Sequence, residues 1–292
     1  MDCARICRQA KRLLPSALAV WVFLLLSAPG LAGEVYSFSD KRPAARLEDM
    51  EKAGLAKGRL LVEGTKYRIE YGPSRVVVSK DGGEHEFSLD LQKRTYYEPE
   101  KTPLGMVSSP PFRLLPLPDS AIKGSVSNVK LDVTAAPQPE ELSGIPVRRH
   151  DLNLSYEVVI EILPPPNLPF KGSSEFVHGK VKVNAVYWMA EDRAPLPVPR
   201  FRPEIRTGFA EVDGRIAGAL AALRGLMVKE QVSVVSEGDQ GVTPRSQTST
   251  MVIEGVRPIK TEPAMFEVPS GFKYHKPEIV GPGMETPPSP PM

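Results

Sequence analysis

Four histidines, two cysteines and the acid pair Glu191-Asp192 are the side chains of this 292-residue chain that stand out as able to serve catalysis or metal binding. A zinc site needs three or four such ligands brought to one point, often announced by paired histidines at helical spacing. His85, His150, His178 and His275 are scattered, with no HExxH and no pair at that spacing. His178 falls among the polar positions of a strand pattern, where it reads as a solvated surface group. Glu191-Asp192 would supply half of a hydrolytic dyad, but no partner motif accompanies it, and the pair reads as solvated acids beyond a strand end. Arg148-Arg149-His150 could meet an anionic headgroup; as an isolated charge run it reads as the charged start of a strand. Cys3 and Cys7 are too few for a disulfide scaffold or an all-cysteine metal centre. No phosphate loop and no GxSxG elbow occurs. The reading is therefore of a non-enzymatic protein, with no catalytic residue, no metal ligand and no cofactor expected.

What remains is apolar surface, and the elements that carry it are legible. Period two runs from Asp151 to Leu163, with Leu152, Leu154, Tyr156, Val158, Ile160 and Ile162 on one face. Its expected partner is Phe176–Met189, with Val181, Val183, Ala185 and Tyr187 on one face, and Pro164–Pro169 at the tip of the long hairpin. Shorter strands are expected at Arg59–Val62, Lys66–Tyr71, Arg75–Lys80, Glu86–Asp90 and Lys93–Tyr97, with Asp81-Gly82-Gly83 as a turn. Leu226–Ser236 and Gln247–Val256 read as two more. Phe209, Val212, Ile216, Leu220 and Leu223 recur at helical spacing, with Thr207 placed to cap the start and Arg224-Gly225 to end the helix. A second helix at Ala44–Lys52 is a weaker pattern.

The expected architecture is mostly β: a curved antiparallel open half-barrel with one helix across its concave face. Two outcomes stay open for the space between helix and sheet. It closes as a dry core, or it leaves a ligand cavity lined by Leu154, Tyr156, Val158, Ile160, Val181, Val183, Tyr187, Phe209, Ile216 and Leu220. Phe112, Leu114, Leu115 and Leu117, in a proline-rich stretch, would then form an apolar lid.

Composition bounds the partners. Hydrophobic residues make up 41% and charged residues 25%, a globular balance, and 37 basic against 35 acidic residues leave no excess for a nucleic-acid backbone. Arg5, Arg8, Lys11 and Arg12 precede an apolar run from Ala17 to Leu26, then Pro29-Gly30 and the small residues Ala32 and Gly33. That order is a secretory signal peptide, with cleavage near Ala32–Gly33 or Gly33–Glu34; the alternative is an uncleaved anchor, for which the run is short. Cleavage removes both cysteines, four of the 37 basic residues and one of the 35 acidic ones, leaving 33 against 34. A neutral, cysteine-free exported chain suits a bacterial periplasm or extracellular space, with no transmembrane span left after cleavage. The organisation expected is a signal peptide over 1–33, a strand/helix lead-in over 34–57 and a half-barrel domain over 58–274. A proline-rich loop or lid spans 99–125, and a proline-rich tail covers 275–292.

Several phrases add a resemblance. Val62–Glu70 is similar to an early turn leading into a basic-apolar strand, and Asp90–Tyr96 to a hairpin of a first meander. Ser143–His150 resembles the approach to a long central strand, Val186–Asp192 a Trp-containing strand end, and Phe266–Phe272 a closing phrase. In that order, over roughly residues 58 to 274, they resemble secreted bacterial proteins related to LolA, the lipoprotein carrier, and to the sensor domain of RseB. The resemblance implies a half-barrel that binds or shuttles a hydrophobic ligand, a lipid or an acylated protein. It carries over no functional residue. The alternative is an envelope interaction or scaffold protein with a filled core and an envelope protein as partner.

Export is directly testable. N-terminal sequencing of the protein from its native compartment should begin at Gly33 or Glu34. A membrane-bound form starting at Met1 would overturn cleavage.

Overall fold

The computed structural model describes residues 32–41, 57–99, 122–162, 175–238 and 245–275. Residues 1–31 of the expected signal peptide (1–33), the weaker helix at Ala44–Lys52, the run Phe112–Leu117, the hairpin tip Pro164–Pro169 and the tail beyond His275 lie outside the described residues.

The strands are β1 (Ala32–Asp40), β2 (Lys57–Glu63), β3 (Lys66–Tyr71), β4 (Arg75–Ser79), β5 (Phe87–Asp90) and β6 (Thr95–Tyr97). They continue as β7 (Ile122–Ala135), β8 (Glu140–Leu142), β9 (Ile145–Ile162), β10 (Glu175–Ala190), β11 (Leu226–Gly238), β12 (Arg245–Lys260) and β13 (Lys273–Tyr274). They form one sheet in the order β13-β6-β5-β4-β3-β2-β1-β12-β11-β10-β9-β7, with β8 beside β9. β13 joins β6 in parallel. The end strands β7 and β13 do not pair, so the curved sheet stays open, and the mostly β half-barrel with a helix is what the chain forms. Among the described residues there is one α-helix, α1 (Ala210–Leu220).

The hairpin β9–β10 is the longest pairing, in continuous register from Met189↔Arg148 to Glu175↔Ile162. Alternation decides its faces: Leu152, Leu154, Tyr156, Val158 and Ile160 are buried on the concave side, as are Val181, Val183, Ala185 and Tyr187. Tyr36, Phe38, Leu60, Tyr67, Ile69 and Tyr71 continue the same core across β1 to β3. α1 adds Val212, Ile216 and Leu220 to it. Gly214 and Gly218 lower its intrinsic helicity by about 1 kcal/mol each relative to Ala, so burial of this stripe holds the helix.

Several expectations need correction. The strand of the lead-in over 34–57 is β1, which starts at Ala32 and sits centrally between β2 and β12 where a peripheral lead-in is expected. The loop assigned to 99–125 ends earlier, since β7 starts at Ile122. β7 escapes a period-two reading because a bulge between Ser127 and Lys130, with Asn128 at φ +53, spaces Val126 and Val129 three apart. The helix ends at Leu220, short of Leu223. Thr207 is not its N-cap: Gly208 at φ +84 separates it from the cap residue Phe209. Instead Asp213 reaches back, accepting from the Thr207 amide (2.6 Å), its hydroxyl (2.8 Å) and the Gly208 amide (3.2 Å). Gly225 is not the helix end either. At φ +95 it opens β11 against β10, where a Cβ would stand 2.1 Å from the Ala190 carbonyl oxygen.

Replacing Val158, 1% exposed, by Asp places a carboxylate in this core and should cost several kcal/mol or prevent folding. Asn153→Ala, on the exposed face of the same strand, should change stability by less than about 0.5 kcal/mol. Denaturant titration of the two variants measures the difference, and equal losses would contradict the assignment of faces.

Candidate binding groove

The concave core is wider than one helix, and the chain covers the remainder with irregular backbone. Between β10 and α1 the proline-rich stretch 195–206 runs across the concave face as a strap. It buries Leu196, Val198, Phe201 and Ile205. Proline suits this path because it needs no partner for an amide it does not have. Phe201 meets Phe38 edge-on at 5.0 Å between ring centroids, and Phe38 meets Tyr71 at 5.8 Å. The strap is also tied by charge: Arg200 donates to the buried Asp40 carboxylate at 2.7 and 2.9 Å, with its guanidinium 5.2 Å from the Tyr71 ring centre. Pro195, Pro197, Pro199 and Pro203 thus lie in the segment that covers the core.

Strap and helix do not close on each other. A groove of about 970 Å³ lies between them. Met189, Phe201, Ile205 and Leu220 supply its apolar base, and Pro195, Pro199 and Pro203 the strap wall. Gly214, Ala217 and Ala221 line the helix wall and carry no bulk into it. Arg202, Arg206 and Arg224 stand among the lining residues with Glu204 and Asp213. Arg206 pairs with Glu204, Asp213 is engaged with Thr207 and Gly208, and Arg202 Nε donates to the Leu196 carbonyl at 3.2 Å. Arg224 has no ion pair among the described residues. The groove is apolar within and carries more positive than negative groups at its margins.

Of the ten residues expected to line a cavity, only Leu220 borders this groove. Leu154, Tyr156, Val158, Ile160, Val181, Val183, Tyr187 and Ile216 belong to the continuous buried core, with Phe209 packed against it. Phe209 meets Tyr156 at 6.2 Å and lies over Gly124 of β7, where a Cβ would come within 2.9 Å of its ring. Burial pushes the Tyr156 phenol up to about 12, with the Asp213 carboxylate adding to it. The groove itself is made by strap residues that no periodicity marks; the apolar positions at 196, 198, 201 and 205 between prolines were the available sign.

The polar candidates are occupied structurally. Arg148 Nε donates to Glu191 at 3.2 Å, and His150 Nε2 lies 3.6 Å from the same carboxylate. Burial pulls the His150 imidazole below its ordinary pKa against the opposing pull of Glu191. Arg149 donates to Asp151 at 2.7 Å and lies 6.0 Å from the Trp188 ring centre. His178 is exposed, and His85 meets Glu98 at 2.9 Å. Among the described residues no three His, Cys, Asp or Glu side chains are grouped to hold a metal. No helix among them is long and apolar enough to cross a membrane.

The chain matches no family model and no curated protein.

The Asp40–Arg200 pair tests the strap. Arg200→Met removes a partner of a buried carboxylate and should cost about 3 kcal/mol in urea denaturation. It should also speed amide exchange over residues 196–205. Unchanged stability and exchange would show that apolar burial alone holds the strap.

Proposed function

We propose that this protein is a non-enzymatic binder or carrier of an apolar ligand, a lipid or an acyl chain on a polypeptide, in a bacterial periplasm or extracellular space. The observation that supports the reading is the groove between α1 and the strap. Its volume, about 970 Å³, falls in the range of small-molecule sites. Its base is apolar, and Arg202, Arg206 and Arg224 suit an acidic head at its margin. The resemblance to the LolA-related proteins implies the same class of ligand. The occupant proposed for the concave side therefore sits beside the helix, above the packed residues, and not between helix and sheet.

A second reading rests on a separate observation: the residues between helix and sheet form one buried core. This favours a scaffold whose contribution is a surface offered to an envelope partner.

The two readings part on one titration. A fluorescent long-chain fatty acid should bind the mature protein saturably. Burying a methylene contributes about 0.8 kcal/mol, so burying about ten of them contributes about 8 kcal/mol, and ordering costs leave the affinity no tighter than about micromolar. Ala217 is exposed on the helix wall, so Ala217→Trp should fill the groove, leave the melting temperature nearly unchanged and weaken binding at least tenfold. No saturable binding by the wild type, or equal binding by the variant, would favour the scaffold.

A further inference from the structure

The convex face should be polar, yet it carries a small apolar cluster of its own. Val35 and Leu61, 3% and 6% exposed, point away from the concave core and pack with Phe266, Ile259 and Met265. The single-turn 3-10 helix Pro263–Phe266 folds back over them from the end of β12. Beside this turn an indentation of about 410 Å³ remains, and arginines surround it.

Sheet register explains the arrangement. Arg257 of β12 faces Val35 of β1, Val35 faces Leu61 of β2, and Leu61 faces Arg68 of β3. Directly opposed residues share a face, so these four side chains form one row across the convex side. The two arginines are therefore separated by three strand spacings, about 14 Å between Cα atoms. Apolar side chains fill the interval. In the next row Arg59 faces Glu70.

Glu70 is committed to its neighbours. It accepts from Arg59 Nε and a terminal nitrogen at 3.0 and 2.6 Å, and from Arg68 Nε at 2.8 Å. Burial pushes its carboxyl up, but the Arg68 and Arg59 guanidiniums outweigh this and hold it below the usual range. Arg68 is pinned further by donating to the Met265 carbonyl at 3.2 Å. Arg257 is exposed and has no ion pair among the described residues. The site thus holds three guanidiniums against one carboxylate, around an apolar floor. Held guanidinium forks are pre-organised to receive a carboxylate or phosphate.

We propose that this indentation is a second binding site, for a single amphipathic anion. Its carboxylate or phosphate head lies between Arg68 and Arg257, and its short apolar body rests on Val35 and Leu61 against the wall formed by Ala264 and Met265. Charge complementarity selects the head and the apolar floor selects the body. The site lies on the opposite face of the sheet from the groove and does not depend on it.

Octyl phosphate, titrated calorimetrically at low salt below its micelle concentration, is the probe. The titration is made in the Ala217→Trp protein, whose groove is closed, so that the convex site alone is read. One saturable event is expected. Adding Arg257→Gln should weaken it about tenfold, the loss expected for a charged hydrogen bond. Ala264→Trp, at an exposed wall position, should abolish it with little change in melting temperature. Inorganic phosphate should bind at least tenfold more weakly than octyl phosphate. No saturable binding, equal affinity in Arg257→Gln, or equal affinity for inorganic phosphate would each overturn the assignment. Binding to phosphatidylglycerol vesicles without binding of monomeric octyl phosphate would overturn it too, in favour of a membrane surface.

Discussion

The apolar concave face of the sheet is the constraint on which everything else depends. Strand alternation places Tyr36, Phe38, Leu60, Tyr67 and Ile69 from one half and Leu152 to Ile160 and Val181 to Tyr187 from the other on a single side. Each large apolar side chain left in water would forgo roughly 1.5–3 kcal/mol. The sheet cannot relieve this by closing, because β7 and β13 remain apart. The face has to be covered from within the chain, and the cover of three helical turns in α1 is narrower than the face.

The strap is the response to that shortfall. It brings Leu196, Val198, Phe201 and Ile205 onto the core in a conformation that makes few ladder bonds, which is why proline is tolerated there. Its anchors differ in kind: Phe201 against Phe38 is packing, and Arg200 with Asp40 is a buried ion pair at the end of the central strand β1. A buried pair is weak evidence for net stability but strong for geometry, since it is satisfied in only one placement of the strap. Two unlike covers, a regular helix with small residues on its outer side and an irregular strap, meet imperfectly. The groove is the consequence of that mismatch.

The convex face shows the converse logic. Along β9 to β11 it carries charged pairs in water, such as Lys180 with Glu157 and Lys182 with Glu237. Trp188 is shielded by Lys229, 4.2 Å from its ring centre, and donates to Glu140 at 2.6 Å. Toward the other end Val76, Val78 and Leu89 form a second apolar cluster on this face, and around Val35 and Leu61 apolar surface lies between guanidiniums, partly covered by Pro263–Phe266.

The sequence by itself determined the local elements whose alternation is unbroken. The hairpin of β9 and β10, the inward residues from Leu152 to Ile160, the first meander and the helical stripe Val212–Ile216–Leu220 are legible because each is a local period. β7 was not, because the bulge at Asn128 breaks its period, and β1, with Ser, Glu and Asp among its nine residues, was legible only as an unbounded strand within the lead-in. Glu230 interrupts the apolar face of β11 and is nonetheless 3% exposed, a burial that residue type argues against. What only the tertiary structure decided is where distant pieces meet. Arg200 reaches Asp40 across 160 residues, and Arg257 joins Arg68 in one row only because β1 and β2 lie between their strands. Both the groove and the convex site are gaps between elements remote in the chain. Periodicity reports which side of an element is apolar, but a gap depends on how far its neighbours approach, and packing alone sets that distance.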